Sequence, residues 1–392
     1  MLEHLRIVEL GQVIAGTLGG MILADLGADV IKVEPVSGDP GRRSAVYGVG
    51  DESAIHLTYN RNKKSIAIDL KDPRGRQVFL DLVAASDAVI ENFRPGVLAR
   101  LGIDFDQLGE VKEDLVLVSV SGFGSDSPYR DLPAYDLIIQ AMSGQLSIMG
   151  EPGRPPVIIG VPMADMVSGV YSAVAVLAGL EGSRRSRSPL HFDLAMLDVM
   201  VAMLGHVGTL FLNTGQEQQP QGSAHPFLTP WQAFRCADGE YVAISPREEH
   251  FWQRLVDHLD LPELARPEFE HALARYEHRD SLLPLLEAAF ERKGSPDWIR
   301  ELRAAGVPVA PVNKMSQTFA DSHVDRRHMV QTYELGGETV SVVGNPFTTR
   351  TEPKPGLRQA PPLGAHTDTI LRQVLGYDSS RVTELRQEGV VA

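Results

Sequence analysis

Apolar and polar positions alternate in short blocks along the first half of the chain. The apolar runs Leu5–Leu10 and Asp29–Glu34 enclose a helical stretch, Gly16–Leu26, which Gly27 closes. This is the spacing of a strand–helix–strand unit in a parallel sheet. The same patterns predict further strands at 65–70, 88–90 and 115–120, and helices at 73–85, 134–149, 162–180 and 196–212. The first half is therefore predicted to be α/β, with an open and mainly parallel sheet.

The composition of the chain changes at 213–230. This segment is polar and contains glycine and proline, which predicts a linker. A strand at 240–245, several charged amphipathic helices and the run VPVAPV at 307–312 follow it. We therefore expect a smaller α+β domain over 231–320, and a second, proline-rich link at 353–362.

The charge and the cysteine content limit the possible partners. The formal net charge of -14 argues against nucleic acid or an anionic membrane as the main partner. A single cysteine excludes an internal disulfide and a cysteine metal cluster, and the histidines lack metal-site spacing, so we predict no metal. The run 196–212 contains Asp198 and His206, which favours a buried helix over a membrane span. With no cleaved leader recognisable at the start, we expect a cytoplasmic protein.

Asp165 is the only acid or base of ordinary pKa between Pro155 and Leu180. Burying a lone carboxylate is costly unless it is solvated or used. Pro162 places Asp165 in the first turn of the predicted helix, where a carboxylate complements the helix dipole. Asp165 also shares a stripe of small residues with Gly169 and Ser172, so we expect a ligand to approach it closely there, and an ionised carboxylate open to a ligand in such a site can act as a nucleophile. A second, apolar stripe consists of Met163, Val167, Val170, Val174 and Leu177. The residues alone leave the dipole and nucleophile roles equally open.

Two segments have the composition of an anion site. Residues 61–76 carry six lysines and arginines against two aspartates, an excess that suits phosphate groups or a solvated surface. The turn Asn92–Gly96 follows a predicted strand, where the loops of a parallel sheet line a crevice, and Arg94 and Arg100 lie nearby. The glycines after the first strand lack the G-x-G-x-x-G spacing, which indicates tight turns rather than a dinucleotide site.

A series of motifs runs in order along nearly the whole chain. It includes AGTLGGMILADLGADVIKVE (15–34), NRNKKSIAIDLKDPRGR (60–76), ENFRPGVLARLGID (91–104) and VPMADMVSGVYSAV (161–174). With these motifs the chain resembles the family III CoA-transferases, the group of formyl-CoA transferase and carnitine CoA-transferase. The resemblance implies that Asp165 attacks an acyl-CoA thioester, forming an aspartyl–acyl anhydride and then an aspartyl-CoA thioester. Coenzyme A is then a co-substrate, and an acyl-CoA and a small carboxylic acid are the substrates.

The resemblance also implies where coenzyme A binds. Matching motifs place its contacts on Lys71, Asn92 and Arg100, and Phe93 shapes the pocket beside them. One related enzyme type has an arginine where Pro35 stands in this chain, and Arg42 or Arg43 is expected to replace it. Ala365 stands where a glutamate is common, with an effect that the resemblance leaves open.

Two residues are expected to orient the acid substrate. Gln12 lies in the first loop, where formyl-CoA transferase carries a histidine, and this departure counts against oxalate and formyl-CoA as the natural pair. Tyr135 is expected to donate a hydrogen bond beside Asp165. It stands where the α-methylacyl-CoA racemases of the same fold have a histidine, so a transferase is favoured and a racemase is the alternative. A non-catalytic acyl-CoA-binding protein is a third hypothesis.

The family resemblance implies an unusual architecture. A large Rossmann-like domain is built from both ends of the chain, here 1–212 and 321–392, and a small domain lies between them. Two protomers thread through each other, so we expect an obligate, interlocked homodimer. The links at 213–230 and 353–362 fit this plan, because long connections are uncommon inside a compact domain.

Overall fold

The computed structural model describes residues 1–43, 48–49, 52–351 and 356–392. Within them the chain forms two compact units. The first unit comprises Met1–Ser143, Ile159–Gly205 and Ser322–Ala392. The second comprises Gly144–Ile158 and His206–Asp321. The first unit is thus assembled from both ends of the chain.

The first unit is organised around a parallel sheet. In the described part of the chain its six strands are β1 (Arg6–Leu10), β2 (Asp29–Glu34), β3 (Lys64–Ala67), β4 (Ala88–Glu91), β5 (Val116–Ser121) and β6 (Leu190–Ala195). Their order is β3–β2–β1–β4–β5–β6, and every neighbouring pair is parallel. Val8 of β1 lies opposite Ile31 of β2 and Val89 of β4. The predicted α/β class with an open parallel sheet is confirmed, and the strand order is that of a doubly wound sheet.

Helices cover both faces of this sheet. The first unit contains α1 (Ala15–Asp25), α2 (Ala54–Tyr59), α3 (Pro73–Ala84), α4 (Val97–Leu101), α5 (Phe105–Val111), α6 (Asp136–Met142), α7 (Met163–Ser186) and α8 (Met196–Ala202). Ile7 and Val8 are adjacent on β1 and enter different cores, because successive strand residues point to opposite faces. Ile7 packs in the core that includes residues of α1 and α7, whereas Val8 packs in the core that includes residues of α3 and the C-terminal segment. A sheet buried on both faces explains why its strands read as continuous apolar runs.

The second unit is built on a small antiparallel sheet. Its strands are β7 (Gln232–Arg235), β8 (Tyr241–Ile244) and β9 (Val309–Pro311). Helix α9 (Gly205–Thr214) precedes these strands in the sequence. The helices are α10 (Glu249–Leu259), α11 (Ala272–Glu277), α12 (Arg279–Phe290), α13 (Ser295–Ala304) and α14 (Met315–Phe319). Phe234, Trp252, Phe290 and Trp298 share its core. This is the expected α+β arrangement.

The end of the chain returns to the first unit. It contains α15 (Ser322–Arg326), the hairpin β10 (Val330–Leu335) and β11 (Glu338–Val343), α16 (Thr367–Thr369) and α17 (Ser379–Gln387). The Asp69 amide donates to the Val390 carbonyl over 2.8 Å, and the Thr367 hydroxyl donates to the Ala392 carbonyl over 2.6 Å. The last residues therefore lie against the segment that follows β3.

Two predicted helices differ from the structure. The helix expected at 134–149 is only α6, and Gly144 adopts a left-handed conformation just after it, which is a common way for a helix to end. The single buried helix expected at 196–212 is wrong. Helices α8 and α9 are separate there, and every residue of α9 is described and none of them is buried.

Helix α7 is the most apolar long helix in the described chain. An 18-residue window within its 24 residues has a mean hydropathy of 1.6, enough by length and composition to cross a membrane, and α8 with α9 passes the same test only as a bent pair. Half of that α7 window is buried inside the protein, as in a helix that packs in a core. The hydropathy of α7 is therefore explained in part by its packing on the sheet.

The small stripe of α7 is a helix–helix contact. A methyl group added to Gly169 would lie 2.5 Å from Leu18, and one added to Gly19 would lie 2.0 Å from the hydroxyl oxygen of Ser172. The expectation that a ligand approaches Asp165 along this stripe is wrong, because α1 already fills it. The apolar stripe is instead turned outward at Val170, Val174 and Leu177, whose side chains are 47%, 57% and 40% exposed.

Candidate active site

Two loops meet where the strand order of the sheet reverses. Strands β2 and β3 lie on one side of β1, and β5 and β6 lie beyond β4. The loops after β1 and β4 therefore flank a crevice at the carboxyl ends of adjacent strands, which is where ligands bind in sheets of this kind. The Asn92 side chain joins the two loops, since its oxygen accepts from the Gln12 amide over 2.7 Å and its nitrogen donates to the Gln12 carbonyl over 3.0 Å. This pair of bonds fixes the backbone of Gln12 at the crevice.

The loop after β1 is strained and is held by hydrogen bonds from buried charged residues. Val13 has a φ of 58°, a left-handed conformation that is unfavourable for a β-branched residue. Its amide donates to Asp39 over 3.3 Å, and the Lys32 ammonium donates to the Gly11 carbonyl over 2.5 Å. Burial alone would lower the pKa of Lys32, but the carboxylates of Glu9 and Asp39 outweigh burial and raise it. A buried charged network thus keeps the loop in this conformation.

The crevice opens into a cleft that contains Asp165. We refer to it as the Asp165 cleft; its volume is about 410 Å³. Its walls include Gln12, Asn92, Phe93 and Tyr135, each of which the sequence assigned to the site. Tyr135 is 75% exposed at the edge. The structure therefore brings together the predicted nucleophile, the two predicted orienting residues and two of the predicted coenzyme A contacts.

Asp165 lies in the first turn of α7 beside a second carboxylate. Asp136, at the start of α6, accepts hydrogen bonds from the Ala164 amide over 2.7 Å and from the Asp165 amide over 3.4 Å. Burial raises the pKa of Asp165 to about 7, and repulsion from Asp136 adds to this effect. A carboxylate that serves to complement a helix dipole would have a lowered pKa instead. Asp136 already satisfies the amides at the start of α7, so the structure favours a chemical role for Asp165.

The activity of this site should depend on the ionisation of Asp165. A carboxylate attacks only when it is ionised, so kcat/KM should rise with pH and reach half its plateau near pH 7. Asp136→Asn removes a neighbouring negative charge, so the pKa of Asp165 should fall and the rise should move to lower pH. Rates measured with an acyl-CoA from about pH 5 to pH 9 test this expectation. Asp106→Asn, on the exposed surface of α5, is the matched control and should leave the profile unchanged. An unmoved profile in Asp136→Asn would contradict the assignment.

A second cleft adjoins the first. This Lys71 cleft has a volume of about 260 Å³ and is lined by Lys71, Asp69 and Leu70. It shares Gln12, Phe93 and Val97 with the Asp165 cleft. An elongated ligand can therefore reach from the lysine to the carboxylate past these three shared residues.

Two other predicted coenzyme A residues lie elsewhere. Arg100 is exposed on α4 and is absent from the described walls of both clefts. Arg42 forms two 2.7 Å bonds to Glu34, a 3.1 Å contact with His56 and a 3.0 Å bond to the Pro361 carbonyl. Burial raises the pKa of Glu34, but Arg42 and Lys32 outweigh it and hold that pKa at about 2. The guanidinium of Arg42 is thus engaged within the protein, and a contact between Arg42 and coenzyme A remains a prediction.

Most of the basic residues in 61–76 are engaged in ion pairs. Arg61 pairs with Asp25, Lys63 with Glu9, Lys64 with Asp29 and Arg74 with Asp72. The excess of positive charge in the sequence is therefore largely neutralised in the fold. Lys71 is the member of the segment that lines a cleft.

The sequence predicts no role for Asp136 or Arg130. Asp136 fell inside a predicted helix, where an acidic residue is unremarkable, and its bonds to α7 join residues 28 and 29 positions apart. Arg130 lies in an irregular segment and is a wall residue of the Asp165 cleft. Among the described residues no group of three or more histidine, cysteine or acidic side chains is arranged to hold a metal ion.

The chain is similar to known proteins over nearly its whole length. A family model described as CoA-transferase family III matches residues 2–367. The chain is 34% identical to the human succinyl-CoA:glutarate CoA-transferase, over 100% of this chain and 90% of that one. It is 33% identical to a succinyl-CoA:mesaconate CoA-transferase of Haloarcula hispanica, over 97% and 98% of the two chains. The crystal structure of a CAIB/BAIF family protein from Brucella suis superposes with a TM-score of 0.84 at 33% identity, over 94% of this chain and 98% of that one.

Proposed function

We propose that this chain, which belongs to family III of the CoA-transferases and is a CoA-transferase, moves CoA between dicarboxylic acids through covalent intermediates on Asp165. The observation that carries the proposal is the carboxylate of Asp165, half-buried in a cleft at the end of the sheet with its pKa raised to about 7. A carboxylate that is poorly solvated is a stronger nucleophile once ionised.

The proposed reaction needs no net proton transfer. An oxygen of Asp165 attacks the thioester carbonyl carbon, the C–S bond breaks, and CoA leaves as a thiolate. The thiolate attacks the aspartyl carbonyl of the resulting anhydride and expels the donor acid as a carboxylate. The acceptor carboxylate then attacks the aspartyl-CoA thioester, and the returning thiolate attacks the acceptor carbonyl of the second anhydride. The acyl-CoA product and the free Asp165 carboxylate result.

Gln12 and Tyr135 are proposed to position the reacting groups. Both line the Asp165 cleft, and the backbone of Gln12 is fixed by Asn92. The Tyr135 phenol can donate a hydrogen bond to a substrate carboxylate or to the anhydride. The half-burial of Asp165 limits the access of water, which would hydrolyse the anhydride.

The substrate class is proposed from the relatives. The two named above use succinyl-CoA with glutarate or with mesaconate, and all three acids carry two carboxyl groups. A panel of acids incubated with succinyl-CoA, with new thioesters identified by mass spectrometry, tests this class. We expect exchange with C4 and C5 dicarboxylic acids, and exchange with monocarboxylic acids alone would contradict it.

Deuterium exchange separates CoA transfer from racemisation. A racemase must remove the proton on the carbon next to the thioester, which requires a base of suitable pKa. Tyrosine, which stands at the position of the racemase histidine, is mostly protonated at neutral pH. The protein should therefore leave the α-hydrogen of a 2-methylacyl-CoA unexchanged in heavy water. Rapid α-deuteration without transfer to any acid would establish the racemase alternative, and retention of CoA without either reaction would establish a binding protein.

Coenzyme A is proposed to lie along the Lys71 cleft. Its phosphates carry the negative charge common to donor and product. Lys71 and Arg100 are the cations proposed to bind these phosphates, because both stand in motifs that resemble those of the family. Lys71→Ala and Arg100→Ala should each raise the KM for acyl-CoA about ten-fold or more and leave the KM for the acid unchanged. Arg74→Ala, which removes an exposed cation of the same segment that pairs with Asp72, is the matched control. An unchanged KM for acyl-CoA in both variants would remove these residues from the site.

A homodimer is proposed from the outward stripe of α7. An exposed apolar row along the helix consists of Val170, Val174 one turn later and Leu177 two turns later. Such a row is unusual for a surface that stays in contact with water. A second copy of the chain is the proposed cover, and interlocked protomers could not separate without unfolding. The dimer should therefore persist at nanomolar concentration in mass photometry. A folded, active monomer at that dilution would contradict the interlocked arrangement.

A further inference from the structure

Two guanidinium groups line the Asp165 cleft. Arg94 follows β4 in the turn that begins at Asn92, and Arg130 lies between β5 and α6. Both side chains are exposed, in a chain whose net charge is -14. Neither arginine belongs to the described walls of the Lys71 cleft. The two cations therefore face the part of the site where acyl transfer is proposed to occur.

These arginines differ from the neutralised cations elsewhere in the first unit. Arg94 makes no ion pair with the described residues. The carboxylate contact of Arg130 is 3.8 Å long and goes to Asp131, whose side chain is 89% exposed. An exposed ion pair of this length contributes little free energy, so it leaves the guanidinium of Arg130 available to a ligand. In contrast, Arg61 is buried against Asp25 at 2.7 Å.

The arginines do not lower the pKa of the nucleophile. A guanidinium against Asp165 would lower the pKa of that carboxyl. The pKa of Asp165 is instead raised, by burial and by the charge of Asp136. Both arginines thus line the same cleft as Asp165, and neither holds its carboxyl in the ionised form.

We propose that Arg94 and Arg130 bind the distal carboxylate of a dicarboxylic acid while its other carboxyl group reacts at Asp165. This inference rests on the proposed function and adds the residues that select the acid. The planar guanidinium of arginine binds a carboxylate through two parallel hydrogen bonds. Val120, Phe123 and Met196 line the same cleft and provide an apolar wall for the methylene groups between the two carboxyl groups. Selection for a second carboxylate then follows from the positive charge of the two arginines on the cleft wall.

The test compares acids of equal length that differ in the distal group. Glutarate and valerate serve as acceptors, with butyryl-CoA as a donor that has no distal carboxylate. The wild type should strongly prefer glutarate. Arg94→Gln and Arg130→Gln should each lower kcat/KM for glutarate about ten-fold or more and leave the value for valerate unchanged. The KM for butyryl-CoA should also stay unchanged. Arg185→Gln, at the exposed far end of α7, is the matched control and should behave as the wild type.

Further measurements separate the possible failures. A rise of about ten-fold in the KM for butyryl-CoA, with no change in kcat/KM for glutarate, would assign these arginines to coenzyme A and overturn the inference. An unchanged preference for glutarate in both variants and in the double variant would overturn it too. Arg130→Lys keeps the charge without the paired geometry, so it should show an intermediate loss for glutarate. The proposed function fails separately, if the wild type transfers CoA to no acid and hydroxylamine traps no acyl group on Asp165.

Discussion

Asp165→Asn should reduce CoA transfer by about three orders of magnitude or more while the protein stays folded. The amide has nearly the same shape as the carboxylate but cannot form the anhydride, so every step after thioester binding is lost. The half-buried carboxylate is repelled by Asp136, so its neutral replacement should not weaken the fold. Steady-state transfer from succinyl-CoA and the thermal unfolding midpoint measure the two effects. Asp106→Asn is the matched control and should keep full activity.

The covalent step has its own readout. Wild-type protein incubated with acyl-CoA and hydroxylamine should carry a hydroxamate on the peptide that contains Asp165, and the asparagine variant should carry none. Mass spectrometry of the variant also verifies that the asparagine has not deamidated to aspartate. Near wild-type transfer by a verified variant, or a modification found only on another peptide, would show that Asp165 is not the nucleophile.

Arg61→Ala should destabilise the first unit by about 3–5 kcal/mol, since it leaves a buried carboxylate without its cation. The guanidinium donates to Asp25 over 2.7 Å, and also to the carbonyl oxygens of Thr58 and Val343. Both side chains of the pair are almost fully buried, at 2% and 5% exposure. Scanning calorimetry should show the first unfolding transition at a clearly lower temperature. Arg76→Ala removes a partly exposed arginine of the same segment and should change the transition little.

A double-mutant cycle identifies the cause of the loss. Asp25→Ala removes the other partner, so the double variant should cost less than the sum of the two single variants. Additive costs would show that Arg61 acts through its carbonyl contacts instead of the ion pair. A stable Arg61→Ala variant with weakened binding of acyl-CoA would restore the phosphate-binding hypothesis for this residue.

Local patterns were sufficient for most of the sheet. The apolar runs of β1 and β2 around the glycine-bounded helix α1 predicted a parallel unit, and β1, α1 and β2 lie within one or two residues of the predicted bounds. Strand β6 was missed, although its sequence LHFDLA alternates as a strand does. It lies at an edge of the sheet with His191 and Asp193 exposed, so it lacks the continuous apolar run of the inner strands.

The amino-acid sequence alone is enough to show that one carboxylate stands alone in a long uncharged segment, at the start of a helix. This follows from composition and from the place of Pro162, which are local properties. Sequence also placed Gln12 and Asn92 after strands, where a parallel sheet collects its loops. No local pattern shows that the Asn92 side chain binds both the amide and the carbonyl of Gln12, since these residues are 80 positions apart.

Which charges and which helix faces are available to a ligand depends on the folded protein. The cations of 61–76 look alike in the sequence, yet Arg61 and Lys63 are buried against Asp25 and Glu9 while Lys71 lines a cleft. The two stripes of α7 are both present in the sequence, but packing against Leu18 of α1 closes the small stripe and turns the apolar one outward. A residue's type fixes what it can bind, whereas the partners that reach it come from distant parts of the chain and are set by packing.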